Sequence, residues 1–142
     1  MNALRRRDRG FTLIELLLVM VIIGILAAIV LPNMADRGRE ARVKGAQGAL
    51  ASFRTALEAY AVDNGRYPST EQGLQALLVR PEGAAAPKNW KGPYLQTVDL
   101  PSDPWGNAYR FVNPGALRPP LYDLYCLGED GQEGTADDIR AF

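Results

Sequence analysis

Between Phe11 and Leu31 the chain reads FTLIELLLVMVIIGILAAIVL, 21 residues with one ionisable side chain, Glu15. As a helix rising about 1.5 Å per residue, this run spans roughly 31 Å, close to the roughly 30 Å of a bilayer's hydrocarbon core. Past Pro32 the pattern changes. Val43, Ala46, Leu50, Phe53, Leu57 and Tyr60 recur at alternating steps of three and four, the spacing of one helix face. Arg37, Arg39, Glu40, Arg42, Lys44, Arg54 and Glu58 mostly avoid that stripe. Asp63-Asn64-Gly65 supplies a stop, with Gly65 suited to a left-handed C-terminal cap. One helix is predicted from about Phe11 to about Asp63: an apolar half over 11–31 and an amphipathic half over 32–65. Gly24 and Pro32 interrupt the apolar half. Both are tolerated in membrane helices, and both also permit bending.

After Arg66 the chain turns rich in Pro, Gly and aromatic residues, and 66–142 reads as a globular head. Ser69–Val79 predicts a short helix with Thr70 as N-cap and Leu74, Leu77 and Leu78 on one face. Pro81–Pro93 reads as a loop. Tyr94–Val98, Ala108–Val112 and Leu121–Leu127 are strand candidates, separated by turns at Pro101–Pro104 and Pro114–Pro120. The fold class is α+β: a long N-terminal helix, transmembrane then amphipathic, packed on a small three-stranded antiparallel sheet.

Charge refines this picture. The totals balance at sixteen basic against sixteen acidic residues, but the two ends differ in sign. Arg5, Arg6, Arg7 and Arg9 precede the apolar run, which places the N-terminus in the cytoplasm and exports the head. Asp123, Glu129, Asp130, Glu133, Asp137 and Asp138 crowd the other end. No basic stripe points to a nucleic acid. The chain has no His, so it lacks the commonest general base and metal ligand. With no nucleophile-and-base arrangement in view, the sequence does not read as an enzyme. One Cys, Cys126, allows no internal disulfide, so another device must staple a small exported head. A buried free thiol is the expected state of Cys126, and Trp90 and Trp105 are expected to pack the core.

Two simple readings of the N-terminus fall short. A secretory signal peptide has an apolar part of about 7–15 residues and a small-residue cleavage site. This run is longer and continues into a helical pattern. A plain anchor explains the length and the arginines but leaves Glu15 in hydrocarbon without a partner, at a cost of several kcal/mol.

RGFTLIELLLVMVIIGILAAIVLP resembles the signature of type IV pilins and pseudopilins: a basic leader ending in Gly, then Phe-Thr-Leu-Ile-Glu. The resemblance implies that a prepilin peptidase removes residues 1–10 by cutting between Gly10 and Phe11, then methylates the new amino group of Phe11. Glu15 would pair with the N-terminal amine of a neighbouring subunit during assembly, which supplies the missing opposite charge. Trimming would leave twelve basic residues against fifteen acidic ones. In the head, RYPSTEQGLQALL, WKGPYL, LPSDPWGNAYRFVNPG and YDLYCLGEDGQEGTADDI are similar to the major pseudopilins of type II secretion systems, over nearly the whole chain from Arg9 to Ile139. Typical type IV pilins close this region with a disulfide, which one Cys cannot make.

The tail Leu127–Asp138 is acidic and glycine-rich. On its residues alone it suits either a solvated turn or a hard cation, which takes roughly six to eight oxygens; its spacing is not that of an EF-hand. The resemblance implies Ca²⁺ in this loop, with carboxylates from Asp130, Asp137 and Asp138 and main-chain oxygens from Leu127 and Gln132.

The expected function is a structural subunit of the periplasmic pseudopilus, drawn from the inner membrane to drive folded proteins across the outer membrane. Implied partners are copies of itself, the prepilin peptidase, minor pseudopilins and the inner-membrane assembly platform with its ATPase. The alternatives are a type IV pilus subunit for adhesion, motility or DNA uptake, and a calcium-dependent binding module on a simple anchor.

Overall fold

The computed structural model describes residues 11–117 and 121–142, and for residues 30–35 the backbone alone. The expected leader, residues 1–10 with Gly10, lies outside the described residues, as does the middle of the Pro114–Pro120 turn. Helix α1 spans Leu13–Asn64 and passes through Gly24 and Pro32 without a break. Two compact units divide the chain, one ending at Arg39 and the other running Glu40–Phe142.

In the first unit the large apolar side chains are exposed, from Leu13 at 80% to Ile29 at 62%. Among the described residues no helix is long and apolar enough to cross a membrane. Val30 and Leu31, which end the apolar run, belong to the segment whose side chains are not described.

In the second unit the predicted stripe becomes the core. Ala46, Leu50, Phe53, Leu57 and Tyr60 are buried, with Val43 half-buried at the edge. A buried Leu or Phe contributes about 1.5–3 kcal/mol relative to exposure, so this face holds the helix to the head. α1 ends as its sequence predicts: the Gly65 amide donates to the Ala61 carbonyl at 2.7 Å, with Gly65 at φ +75°. Asp63 sits at the carboxyl end, where the helix dipole disfavours an anion. Lys91 Nζ at 2.9 Å and the Tyr94 hydroxyl at 3.1 Å compensate. The Lys91 hydrogen bond holds the Asp63 carboxyl below the usual carboxylate range.

The helix expected over Ser69–Val79 forms only a 3-10 turn, Leu74–Leu77. Gly73 takes a left-handed φ of +57°, so the chain cannot wind continuously from Ser69. Thr70 is not the cap either. Ser69 and Gln72 make a reciprocal pair, the Ser69 amide donating to Gln72 Oε1 at 3.0 Å and the Gln72 amide to Ser69 Oγ at 3.3 Å. That is a capping box. Thr70 instead joins Asn113, accepting its amide at 2.9 Å. Leu74 and Leu77 enter the core, and Trp90 closes over them by donating from Nε1 to the Ala76 carbonyl at 2.9 Å.

The sheet has three antiparallel strands in the order β1 (Arg110–Val112), β2 (Asp123–Cys126), β3 (Ile139–Arg140). Arg110 faces Tyr125 and Val112 faces Asp123; Tyr125 and Cys126 face Arg140 and Ile139. Two of the expected strands are present, shortened. The third, Tyr94–Val98, is not a strand: Tyr94 and Leu95 are both half-buried and Val98 is 94% exposed, so the segment lacks the alternation a half-buried strand needs. Ile139–Arg140 takes the third place. β2 is central, and all four of its residues are buried. Phe53 of the helix packs its ring edge-on against Tyr109, next to β1, with centroids 5.1 Å apart, and Phe111 of β1 meets Tyr122, next to β2, at 5.5 Å. Cys126 is fully buried and unpaired, and burial pushes its thiol pKa up.

Candidate functional site

Two places gather the residues singled out above, one in each unit. At the start of α1, Thr12 and Glu15 form a second capping box. The Thr12 amide and hydroxyl donate to Glu15 Oε2 at 2.9 and 3.0 Å, and the Glu15 amide donates to Thr12 Oγ1 at 3.3 Å. An acidic side chain here also complements the positive end of the helix dipole. Glu15 therefore has a local partner in the single chain. The Thr-x-x-Glu spacing is the sequence signature of this arrangement, and reading Glu15 only for a partner in another subunit passed over it. Phe11 next to it is 79% exposed, while Gly10 lies outside the described residues.

The second place is the loop between β2 and β3. Gly128 opens it at φ +65°, and a Cβ there would collide with the Asp137 carbonyl, so only glycine fits. Asp137 Oδ2 accepts the amides of Glu129 at 2.8 Å and Asp130 at 3.0 Å. Asp130 Oδ1 accepts the Gln132 amide at 2.8 Å, and Asp138 Oδ2 accepts the Gly134 amide at 2.9 Å. Thr135 Oγ1 stands 2.6 Å from Asp137 Oδ1, 3.2 Å from the Gln132 carbonyl and 3.3 Å from Asp130 Oδ1. The Thr135 hydroxyl and the Asp130 amide hold the Asp137 carboxyl at about 2.

The loop thus brings Asp130, Gln132 and Asp137 around one hydroxyl. That hydroxyl has a single proton for three acceptors. The Asp138 side chain is 3% exposed, and its Oδ1 is buried with no hydrogen-bond partner. Surplus acceptor oxygens and a buried unpaired carboxylate oxygen are the donor chemistry a hard cation satisfies. Two features stand apart from a finished cage. Among the described residues no three carboxylate, thiol or imidazole groups gather as a metal cluster, and the Leu127 carbonyl joins none of the bonds around Thr135. The carboxylates instead turn onto loop amides. Thr135 is the loop residue that sequence reasoning passed over. Its hydroxyl sits amid acidic neighbours, but nothing in its spacing marks it as the hub.

A helix that opens on a Thr–Glu box and continues into an amphipathic face packed on an antiparallel sheet is the arrangement that the pilin-like resemblance implies. The N-terminal part agrees: the prokaryotic N-terminal methylation motif matches residues 5–31. The family described as type II secretion system protein G matches residues 33–141. The type II secretion system core protein G of Pseudomonas aeruginosa is 50% identical over 135 residues, covering 94% of this chain and 92% of that protein. Its counterpart in Aeromonas hydrophila is 43% identical over 136 residues, covering 95% and 92%. The crystal structure of the major pseudopilin from the type 2 secretion system of enterohaemorrhagic Escherichia coli matches with a TM-score of 0.65 at 35% identity, over 77% of this chain and 93% of that one. The chain belongs to the type II secretion system protein G family.

Proposed function

We propose that the protein is the structural subunit of the type II secretion pseudopilus, held in the inner membrane with its N-terminus cytoplasmic and its head periplasmic until it is drawn into the filament. The observation that carries this reading is the run of exposed apolar side chains from Leu16 to Ile29 directly after a capped carboxylate. Exposed apolar surface of this extent needs an outside partner. Lipid covers it before assembly, and the same face of other copies covers it afterwards. Removal of residues 1–10 between Gly10 and Phe11 frees an ammonium four residues from Glu15. Once the amine of a neighbouring copy approaches, Glu15 exchanges its neutral donors for a charge-assisted bond, the stronger kind. The capping box keeps the carboxylate satisfied until then. A prepilin peptidase, minor pseudopilins and an inner-membrane platform with its ATPase are the partners this role requires.

The loop has a structural task. Bound Ca²⁺ would neutralise the clustered carboxylates of Asp130, Asp137 and Asp138, with Leu127 and Gln132 adding main-chain oxygens. The chain's own part is to hold these groups between β2 and β3, as a disulfide would in a relative with two cysteines.

Intact mass spectrometry after co-expression with a prepilin peptidase tests the processing. The expected product lacks residues 1–10 and carries one methyl group on Phe11. A chain left uncut by an active peptidase would refute the filament reading. Calcium titration of the full chain tests the loop separately, with saturable binding at one site expected and none in Asp138→Ala.

A further inference from the structure

The Asp103–Asn107 turn is built with more care than a connection between loops needs. Asp103 is 5% exposed. Its Oδ1 accepts the amides of Trp105 at 3.0 Å and Asn107 at 2.7 Å, and its own amide donates to the Asn107 carbonyl at 2.8 Å. Pro104 rests against α1 at Gly45, its Cγ 3.6 Å from where a Cβ would stand. The turn is thereby fixed at both ends and braced on the helix. The product of this rigidity is the direction of one side chain, Asn107.

Asn107 Nδ2 donates to the Gly128 carbonyl at 3.3 Å, and its amide group lies beside Gly131, with Oδ1 3.6 Å from a Cβ built there. The Gly128 carbonyl and the Glu129 N–H belong to one planar peptide unit. That N–H is one of the two amides donating to Asp137 Oδ2. Asn107 thus holds one edge of the plane while Asp137 is held by the other. If the peptide rotates to lose the Asn107 bond, it also turns its N–H away from the carboxylate.

We propose that Asn107 is a positioning residue for the cation site: anchored through Asp103 and Pro104 to α1, it sets the Gly128–Glu129 peptide that aims Asp137 at the oxygen cluster around Thr135. Asn107 contributes no ligand. It lowers the cost of gathering the ligands by keeping one of them aimed before the cation arrives, as partners beyond the ligand shell do in other metal sites. The proposal rests on the calcium reading of the loop.

The test uses the full-length chain in detergent, with Asn107→Ala and Asn107→Ser. Serine suits a turn, but its hydroxyl is too short to reach Gly128. Ca²⁺ binding is measured by calorimetry, and thermal melting is followed in excess EDTA and in saturating Ca²⁺. Both variants are expected to bind Ca²⁺ about 10–100-fold more weakly, with melting in EDTA close to the parent's. Parental affinity in the variants overturns the proposal. Equal loss of melting temperature with and without Ca²⁺, or loss of cooperative melting in EDTA, makes Asn107 merely structural and also overturns it. A parent chain that binds no Ca²⁺ removes the calcium reading itself, and the proposal with it, a result distinct from binding that the variants leave unchanged.

Discussion

The two halves of α1 share a backbone and differ in what completes them. Along Glu40–Asn64 the apolar residues form one stripe, and the head buries it: Leu57 is fully covered. Along Leu13–Ile29 apolar residues surround the helix, and Leu17 remains 57% exposed. A stripe can be satisfied by one packed sheet and one turn. A helix apolar on all sides needs cover on all sides, which a chain of this size does not supply. The amphipathic half is finished by folding within the head, and the apolar half is left exposed in the single chain.

Paired truncations give the widest separation. Leu57→Ala is expected to destabilise the head by about 2–5 kcal/mol, read by urea melting of the detergent-solubilised chain. Leu17→Ala is expected to change the same melt by no more than about 0.5 kcal/mol. Equal costs would erase the distinction. A charge in the apolar half sharpens it from the other side. Ile22→Asp places a carboxylate mid-run at a cost of about 2.5–3.5 kcal/mol for insertion. The expected outcome is loss of the chain from the membrane fraction while the head melts as before. A smaller change inside the head, Trp90→Phe, deletes the donor to the Ala76 carbonyl and is expected to cost about 0.5–1.5 kcal/mol. Membrane retention should not change.

Acid gives the smallest and most local effect. The Asp137 carboxyl is held at about 2 in the folded loop against an ordinary 3.8. A depressed carboxyl pKa stabilises the folded loop once the group is ionised. That contribution is complete above pH 4 or so and disappears as pH falls from there towards 2. Protection of the Glu129 and Asp130 amides, the two donors to Asp137 Oδ2, relative to their unfolded exchange rates should fall over that window, while protection around Leu57 is kept. If the two regions lose protection together, the loop is not an independent element.

Legibility followed the range of the forces involved. The helix was readable because an unbroken apolar run leads into a stripe of three-and-four spacing from Val43 to Tyr60, and its end because Gly65 is a local signal. β1 and β2 were readable as apolar runs between turns. β3 was not: two residues carry no period, and Ile139–Arg140 becomes a strand only because β2 has a free edge beside it. Tyr94–Val98 has strand-like residues, but the Tyr94 amide donates to the Leu77 carbonyl at 2.7 Å, so the segment is tied to the 3-10 turn and not to the sheet. The Ser69–Gln72 box hid behind the neighbouring Thr70, an equally good cap by type. In the acidic loop, Asp130, Asp137 and Asp138 stood out by charge, whereas Thr135 and Asn107 did not.

The apolar run, the stripe, the basic leader and the carboxylates can all be read from the residues in order, because each rests on composition or on contacts within a few residues. The Thr12–Glu15 pair belongs with these. Which strand completes the sheet, which hydroxyl the loop oxygens surround, and that a turn braced on Gly45 reaches the Gly128 peptide emerge only once the chain is folded. Those outcomes depend on groups distant in sequence being brought to hydrogen-bond range, and packing of the head sets that distance.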